Sequence, residues 1–313
     1  MQVRRAIDTS LRLKPGEPPN AQTIEEVDSP LDAPKKTLVG PEPYLLTDAI
    51  CEAVNVAITL GRPLLVQGDP GVGKTRLAHA IAYRLGLPLE QAHVKSTSRA
   101  RDLLYTFDAV RRLSDAQLSG LQHQKLRAPG EYVRLGPLGR AIARAQAGRR
   151  TVVLIDEIDK ADLDFPNDLL RELDELRFEV DELPEVRHAV PLDRPDLRPI
   201  IIVTNNEEKQ LPGAFLRRCA FHYIEFPENN LNEILDMHDI VDSGLRNRAI
   251  QILLDLRKLD LTHRPGLSEL LDWVECLRRD EVGADKVAEL PSVGALVKDY
   301  GDLLRVEKRM RSK

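Results

Sequence analysis

The sequence has few aromatic side chains, few cysteines and no long apolar run. Only 4% of its 313 residues are aromatic, so the core has to be built mainly from Leu, Val, Ile and Ala. The three cysteines (Cys51, Cys219 and Cys276) match neither a zinc-ligand spacing nor a disulfide framework, so we expect a reducing, cytoplasmic setting. The longest apolar runs, such as 200–203, are only as long as strands, and the first residues lack the apolar stretch of a signal peptide. We therefore expect no membrane association.

Neither sign of charge is in large excess. The chain has 45 basic and 50 acidic residues, for a formal net charge of -5. A strongly basic nucleic-acid surface is therefore not indicated, and a nucleic-acid partner is not expected. The length is sufficient for two domains, each with its own core.

Three regions differ in composition and periodicity. Residues 1–37 contain many prolines and no periodic pattern, which predicts a flexible or loosely docked N-terminal arm. Over 38–227, short apolar strands alternate with helical stretches, a pattern typical of a parallel sheet with helices on both faces. The segment 177–198 interrupts this rhythm and is predicted to be an inserted hairpin. Residues 228–313 show helical patterns only, which predicts an all-α domain.

A glycine-rich turn follows a predicted strand at 62–67 and precedes a predicted helix. Its eight residues fit the pattern G-x-x-x-x-G-K-[ST]: Gly68, Asp69, Pro70, Gly71, Val72, Gly73, Lys74 and Thr75. The glycines permit backbone conformations in which successive N–H groups converge on phosphate oxygens, next to the positive end of the following helix. Lys74 would supply a charge for the β and γ phosphates, and Thr75 a hydroxyl for Mg²⁺. The turn therefore predicts a nucleoside triphosphate site.

A predicted buried strand at 151–155 is followed by two carboxylates, Asp156 and Glu157. Asp156 is the candidate for the magnesium coordination shell. Glu157 is the candidate for accepting a proton from an attacking water molecule. The alternative, in which these acids merely close a strand at the surface, is less consistent with the phosphate loop upstream. Together the two motifs favour hydrolysis over storage of the nucleotide.

Two further polar pairs follow. Asn205 and Asn206 end a predicted strand at 199–203, where an amide can orient the lytic water; we prefer Asn206, although both could instead bond turn backbone. Arg217 and Arg218 end a short predicted helix from Leu211. A guanidinium suits the charge that develops during phosphoryl transfer, but an Arg-Arg pair alone usually marks a solvated helix end.

Taken in order, these motifs resemble those of an AAA+ ATPase, most closely the MoxR-like branch. The resemblance spans about 39–313 and includes the segments 53–57, 94–97, 101–105 and 135–140. It implies an α/β P-loop NTPase fold with a five-stranded parallel sheet flanked by helices and a C-terminal helical lid at 228–313. It also implies that the acidic strand does not directly follow the phosphate-loop strand in the sequence.

The resemblance further implies assembly into a ring, usually a hexamer, with ATP and Mg²⁺ at subunit boundaries. Arg218 then matches the finger that reaches a neighbour's γ-phosphate, and Asn206 matches the first sensor. Arg264 is the candidate for the second, lid-borne sensor, although its surroundings depart from the MoxR pattern. The 177–198 hairpin matches an insertion that often handles substrate.

The function that the sequence favours is therefore ATP hydrolysis coupled to remodelling or activation of a protein client. The resemblance adds that the client could carry a von Willebrand factor A domain. Two alternatives remain: a nucleotide-gated scaffold or switch with little turnover, and a nucleic-acid-stimulated motor. The intact set of Lys74, Thr75, Asp156 and Glu157 argues against the first, and the acidic balance argues against the second.

Overall fold

The computed structural model describes residues 7–16, 40–122 and 127–310. The chain divides into two compact units. The first, here called the α/β unit, comprises Met1–Glu42, Leu46–Gln67 and Thr75–Tyr223. The second, here called the helical unit, comprises Pro43–Leu45, Gly68–Lys74 and Ile224–Lys313. The phosphate loop thus clusters with the C-terminal helices, although it lies far from them in the sequence.

The described residues form nine strands and ten α-helices. The strands are β1 Leu64–Gly68, β2 Leu89–His93, β3 Tyr105–Phe107, β4 Val133–Leu135, β5 Val152–Asp156, β6 Arg177–Val180, β7 Leu183–Ala189, β8 Ile200–Asn205 and β9 Ala220–Ile224. The helices are α1 Asp48–Leu60, α2 Lys74–Leu85, α3 Ala109–Gln122, α4 Pro137–Gln146, α5 Phe165–Glu175, α6 Gly213–Leu216, α7 Leu231–Met237, α8 Ser243–Arg257, α9 Leu267–Arg279 and α10 Tyr300–Met310.

Five strands form the main sheet, in the order β2-β5-β8-β1-β9. The pairs β2/β5, β5/β8 and β8/β1 are parallel. The predicted five-stranded parallel sheet is therefore confirmed, and the acidic strand β5 is separated in the sequence from the phosphate-loop strand β1. Strands β5 and β8 are buried along their whole length, which explains their continuous apolar runs.

Two small antiparallel sheets of two strands each accompany the main sheet. The predicted hairpin within 177–198 is confirmed as β6 paired with β7. The other small sheet, β3 paired with β4 with helix α3 between them in the sequence, was not predicted. Its strands have three residues each, too few for a period-2 pattern to stand out.

Helix α1 shows how the local sequence sets an element. The hydroxyl of Thr47 accepts a hydrogen bond from the Ile50 N–H, so Thr47 is the N-cap. Gly61 ends the helix in a left-handed conformation with φ of 58°. The buried face includes Ile50, Val54 and Ile58.

The helical unit has its own apolar core. Trp273, the only tryptophan in the chain, is fully buried there among leucines and valines of α8 and α9. Its indole N–H donates to the Pro291 carbonyl at 2.7 Å, so its one polar group is bonded. No helix in the described part of the chain has the length and apolarity needed to cross a bilayer.

Most of the predicted N-terminal arm lies outside the described residues, but 7–16 are described and pack on the α/β unit. The Asn55 side chain pairs with both backbone groups of Leu13, at 2.7 and 2.8 Å. Asp8 and Arg150, both buried, form an ion pair at 2.5 Å. This stretch is therefore anchored, because a buried guanidinium requires an anionic partner.

Candidate nucleotide site

The phosphate loop has the backbone conformation that its glycines allow. Gly68, Gly71 and Gly73 adopt φ values of 147°, 78° and 94°, a region that side-chain-bearing residues rarely occupy. A β-carbon at Gly68 would lie 2.4 Å from the Ile224 carbonyl oxygen, so the loop leaves no space for a side chain there. The ring of Tyr44 lies against Gly73, where a β-carbon would be 3.1 Å from Cε2.

Lys74 is buried and its ammonium group is held by the loop itself. Its Nζ donates to the carbonyl oxygens of Gly68 at 2.6 Å and Asp69 at 2.9 Å. These oxygens bear partial negative charge, so the position suits an ammonium that would also contact phosphate oxygens. Lys74 is the first residue of α2, and the positive end of that helix therefore begins at the loop.

Residues of the C-terminal helices contact the loop within the helical unit. Ser268 donates to the Gly71 carbonyl oxygen through its backbone N–H at 3.2 Å and its hydroxyl at 3.1 Å. Arg257 lies 3.7 Å from the Asp69 carboxylate and 3.7 Å from the centroid of the Phe226 ring. Arg264, in contrast, is exposed and makes no hydrogen bond or ion pair within the described residues. Its assignment as second sensor stays a prediction.

Asp156 is the centre of the polar cluster in the α/β unit. Its Oδ1 accepts hydrogen bonds from the Thr75 hydroxyl at 2.8 Å and the Thr204 hydroxyl at 2.7 Å. The side chain is only 8% exposed. The structure thus brings together Thr75 and Asp156, the two residues that the sequence predicts for Mg²⁺.

The oxygen donors at this point suit a magnesium ion. Mg²⁺ prefers oxygen ligands and is usually held by one or two protein groups together with phosphate and water. Thr75 and Asp156 provide a hydroxyl and a carboxylate oxygen 2.8 Å apart. Nowhere in the described residues do three or more His, Cys, Asp or Glu side chains cluster as a metal-binding group.

Glu157 is held in an uncommon backbone conformation. Its φ of 58° and ψ of 55° are left-handed, and its N–H donates to the Thr204 hydroxyl at 2.8 Å. Its Oε1 accepts a hydrogen bond from the Asn206 side-chain amide at 3.1 Å. A carboxylate with one oxygen bonded to an amide and the other available is suitable for accepting a proton from water.

The two asparagines have different partners. Asn206 reaches Glu157, whereas Asn205 is 1% exposed and accepts the Glu207 N–H at 2.8 Å. Asn205 therefore stabilises the turn after β8, which is the alternative that the sequence left open for either amide. We define the acidic edge as residues 156–161 and 204–209, the segments that carry these groups.

The two arginines at the end of α6 are both exposed. Arg218 Nε bonds the Asp174 carboxylate at 2.9 Å, with its side chain 48% exposed. Arg217 makes no ion pair within the part of the chain that the structure describes. Burial raises the pKa of the neighbouring Cys219 thiol to about 12, which favours its protonated form.

Several residues of the site escaped the sequence analysis. Thr204 joins Asp156 to Glu157, Arg257 contacts Asp69, and His93 Nδ1 lies 3.4 Å from Asp156 Oδ2. The position of Thr204 just before the two asparagines was a usable signal, because polar residues at the end of a buried strand face the site. Arg257 and His93 carry no comparable sequence signal.

The comparisons with known proteins agree with this geometry. Residues 63–219 match the family model described as the AAA domain (dynein-related subfamily). This match covers just over half of the 313-residue chain and includes the phosphate loop, the acidic edge and both arginines of α6. No curated protein matches the chain.

Proposed function

The chain belongs to the AAA domain family of the dynein-related subfamily, and from that premise we propose that it hydrolyses ATP to drive changes in a protein client. The observation that carries the proposal is the hydrogen bond from Asn206 to Glu157, beside the contact between Thr75 and Asp156. A protein that only stored nucleotide would need the loop but would have no use for a positioned carboxylate.

Each residue has a distinct part in the proposed reaction. The loop amides and Lys74 bind the β and γ phosphates and orient the terminal phosphoryl group. Thr75 and Asp156 would hold Mg²⁺, which when bound neutralises charge on the phosphate oxygens. Glu157 accepts the proton of the attacking water, and Asn206 keeps its carboxylate oriented.

AAA+ domains commonly form ring oligomers. In such a ring, a neighbouring copy would complete the site. We assign Arg218 as the residue that reaches the γ-phosphate of a neighbouring copy. Its guanidinium is half exposed and bonded only at the surface, to Asp174, so it can exchange partners at small energetic expense. Ring size, with a hexamer as the expectation, rests on the resemblance.

The finer role rests on sequence resemblance alone. The segments shared with the MoxR-like branch support a chaperone-like activity that remodels or activates a partner. A partner with a von Willebrand factor A domain is the specific candidate. A Glu157→Gln variant, which should retain bound ATP, is the bait with which to test that candidate in a purified binding assay.

Phosphate release by four purified proteins tests the hydrolysis proposal. Glu157→Gln should lose about 10²- to 10⁴-fold in turnover, the contribution of a general base, and should still bind ATP. Lys74→Ala should lose both binding and turnover. Glu52→Gln, at an exposed position of α1, is the matched control and should equal the wild type.

Two outcomes would favour the alternatives. Negligible phosphate release by the wild type would favour a nucleotide-gated switch, and equal release by wild type and Glu157→Gln would remove Glu157 from its role. Turnover that appears only when DNA or RNA is added would favour a nucleic-acid-stimulated motor.

Mixing variants tests whether Arg218 acts on a neighbour. Arg218→Ala should abolish turnover while ATP affinity stays near that of the wild type. A mixture of Arg218→Ala and Lys74→Ala should regain part of the activity, because some boundaries then combine an intact loop with an intact arginine. Failure of every mixing ratio to recover turnover would contradict the assignment.

A further inference from the structure

We propose that Asp159 is a positioning residue for hydrolysis, which anchors the loop after β8 so that Asn206 faces Glu157. This inference rests on the proposed function and adds a residue to it. Asp159 lies two residues after Glu157, in a single 3₁₀ turn. From the sequence alone it is one more acid after the acidic strand, without an evident role.

The contacts of Asp159 define its role. Its Oδ2 accepts hydrogen bonds from the backbone N–H groups of Asn206 at 3.1 Å and Glu208 at 3.0 Å. The side chain is 2% exposed, so these bonds are shielded from water. This one oxygen therefore holds the backbone of Asn206, whose side chain bonds Glu157, and the backbone of Glu208.

Beyond Thr204, which bonds Asp156 and Glu157, two further links between the same two segments are more exposed. Lys160 forms an ion pair with Glu208, with side chains 38% and 50% exposed. Lys209 Nζ donates to the Ala161 carbonyl oxygen at 2.8 Å. Exposed ion pairs contribute little to fixing a geometry, so Asp159 is the buried anchor among these links.

The backbone on both sides of the anchor needs such support. Glu157 and Glu207 have φ values of 58° and 63°, which non-glycine residues adopt rarely. Conformations of this kind persist when the surrounding structure holds them in place. Asp159 lies between these two residues in the hydrogen-bond network, through its bonds to Asn206 and Glu208.

The geometry indicates that Asp159 acts as an acceptor and not through its charge. The second oxygen, Oδ1, is buried and has no hydrogen-bond partner among the residues that the structure describes. An asparagine retains one acceptor oxygen in the same place, whereas an alanine has none. A metal-ligand or charge role would instead be lost in both substitutions.

Steady-state ATP hydrolysis separates these roles. In Asp159→Ala, we expect kcat to fall about 10- to 100-fold, the usual effect of removing a group that orients a functional residue, with KM for ATP little changed. Asp159→Asn should regain most of that loss. Asp162→Ala, at an exposed acid three residues later, is the matched control and should equal the wild type.

A double-mutant cycle tests whether Asp159 acts through Asn206. In an Asn206→Ala background, Asp159→Ala should lower kcat no further, because the amide that it positions is already absent. An additive loss would overturn the proposal. So would an Asp159→Asn variant as inactive as Asp159→Ala.

Amide hydrogen exchange gives a readout that does not depend on turnover. Asp159→Ala should speed exchange in 205–209, and Asp159→Asn and Asp162→Ala should not. Unchanged exchange in Asp159→Ala would refute the anchor even if the wild type is an active ATPase. Faster exchange in Asp159→Ala, together with a wild type that proves unable to hydrolyse ATP, would refute the proposed function and leave the anchor intact.

Discussion

The phosphate loop and the acidic edge hold their functional groups in opposite ways. In the loop, Lys74 bonds carbonyl oxygens five and six residues earlier in the chain. At the edge, Asp156 bonds Thr75 and Thr204, which are 81 and 48 residues away, and Asn206 reaches Glu157 across 49 residues. One region is built by local backbone geometry, and the other by the pairing of strands.

This difference predicts that the loop governs nucleotide affinity and that the acidic edge governs turnover. The glycines of the loop and the carbonyl oxygens that hold Lys74 are close together in the sequence, although Ser268 and Arg257 also contact the loop. The edge requires β5 and β8 to be neighbours in the correct register before its carboxylates and amide can meet. Substitutions in the loop should therefore affect nucleotide affinity, whereas those at the edge should affect turnover.

Gly68→Ala should give the largest effect, and on the binding side. The φ of 147° and the Ile224 carbonyl oxygen 2.4 Å from the new β-carbon force the loop to move, and each such strain is of order 1–3 kcal/mol. We expect about a 100-fold or greater loss in nucleotide affinity, measured by calorimetry. Gly294→Ala, where a β-carbon meets open space, is the control. If Gly68→Ala kept its nucleotide affinity but lost turnover, the contrast between a loop that governs binding and an edge that governs turnover would be contradicted.

Thr204→Val should give the next largest effect, on turnover. It removes the donor to Asp156 and the acceptor of the Glu157 N–H, so we expect a fall in kcat of about 10- to 100-fold with ATP affinity nearly unchanged. Thr204→Ser keeps the hydroxyl and should regain activity.

The matched control for Thr204→Val is Thr151→Val. Thr151 is also fully buried, but its hydroxyl has no hydrogen-bond partner in the described residues. Its replacement by an apolar group of the same shape should leave turnover unchanged and stability equal or higher. If Thr151→Val lost as much turnover as Thr204→Val, packing would explain both effects.

Arg257→Ala should have a smaller effect, again on binding. Its ion pair with Asp69 is partly exposed, so we expect only a two- to fivefold loss of nucleotide affinity, or about 0.5–1 kcal/mol. The resemblance instead assigns nucleotide contact to Arg264, which has no such partner within the described residues. Equilibrium binding of nucleotide to Arg257→Ala and Arg264→Ala ranks the two arginines by their effect on affinity. A larger loss in Arg264→Ala would support the assignment of Arg264 from the resemblance.

Asp8→Asn should leave turnover unchanged and lower only stability. Asp8 and Arg150 are 142 residues apart in the sequence. The pair therefore tests whether a contact between distant segments affects turnover merely because the segments are distant. Burial by itself would raise the pKa of Asp8, but hydrogen bonds from Ser10 and Arg150 lower it below the ordinary value. We expect a loss of about 1–3 kcal/mol in the free energy of unfolding at pH 7.

The lowered pKa of Asp8 determines how the stability difference between the wild type and Asp8→Asn changes with pH. A carboxyl whose pKa is lower in the folded state stabilises the fold above its unfolded pKa of about 4, and loses that contribution as pH falls through the folded value. Urea titrations should therefore show the wild type and Asp8→Asn converging as pH falls below about 4. Asp162→Asn, an exposed acid, should follow the wild type throughout. A constant difference at every pH would contradict the ion pair.

The alternation of apolar strands with helices, and the eight-residue phosphate motif, determined much of this protein from sequence alone. Strand β8 is buried throughout and continuously apolar, so composition sufficed to find it. Strands β3 and β4, which pair with each other, are too short to show any period and were missed. Likewise, the roles of Asn205 and Asn206 could not be separated from the sequence, because adjacent residues differ only in the side of the strand end that they face.

The sequence by itself determined the residue types of the candidate phosphate loop, because glycine conformation and helix polarity act over a few neighbouring residues. Only the tertiary structure decided that Asn206 meets Glu157, that Asp159 anchors the loop beyond β8, and that Arg257 contacts Asp69. These contacts join segments that are distant in the sequence. Strand order and register bring the first two together, and the packing of the helical unit brings the third, so none follows from local pattern.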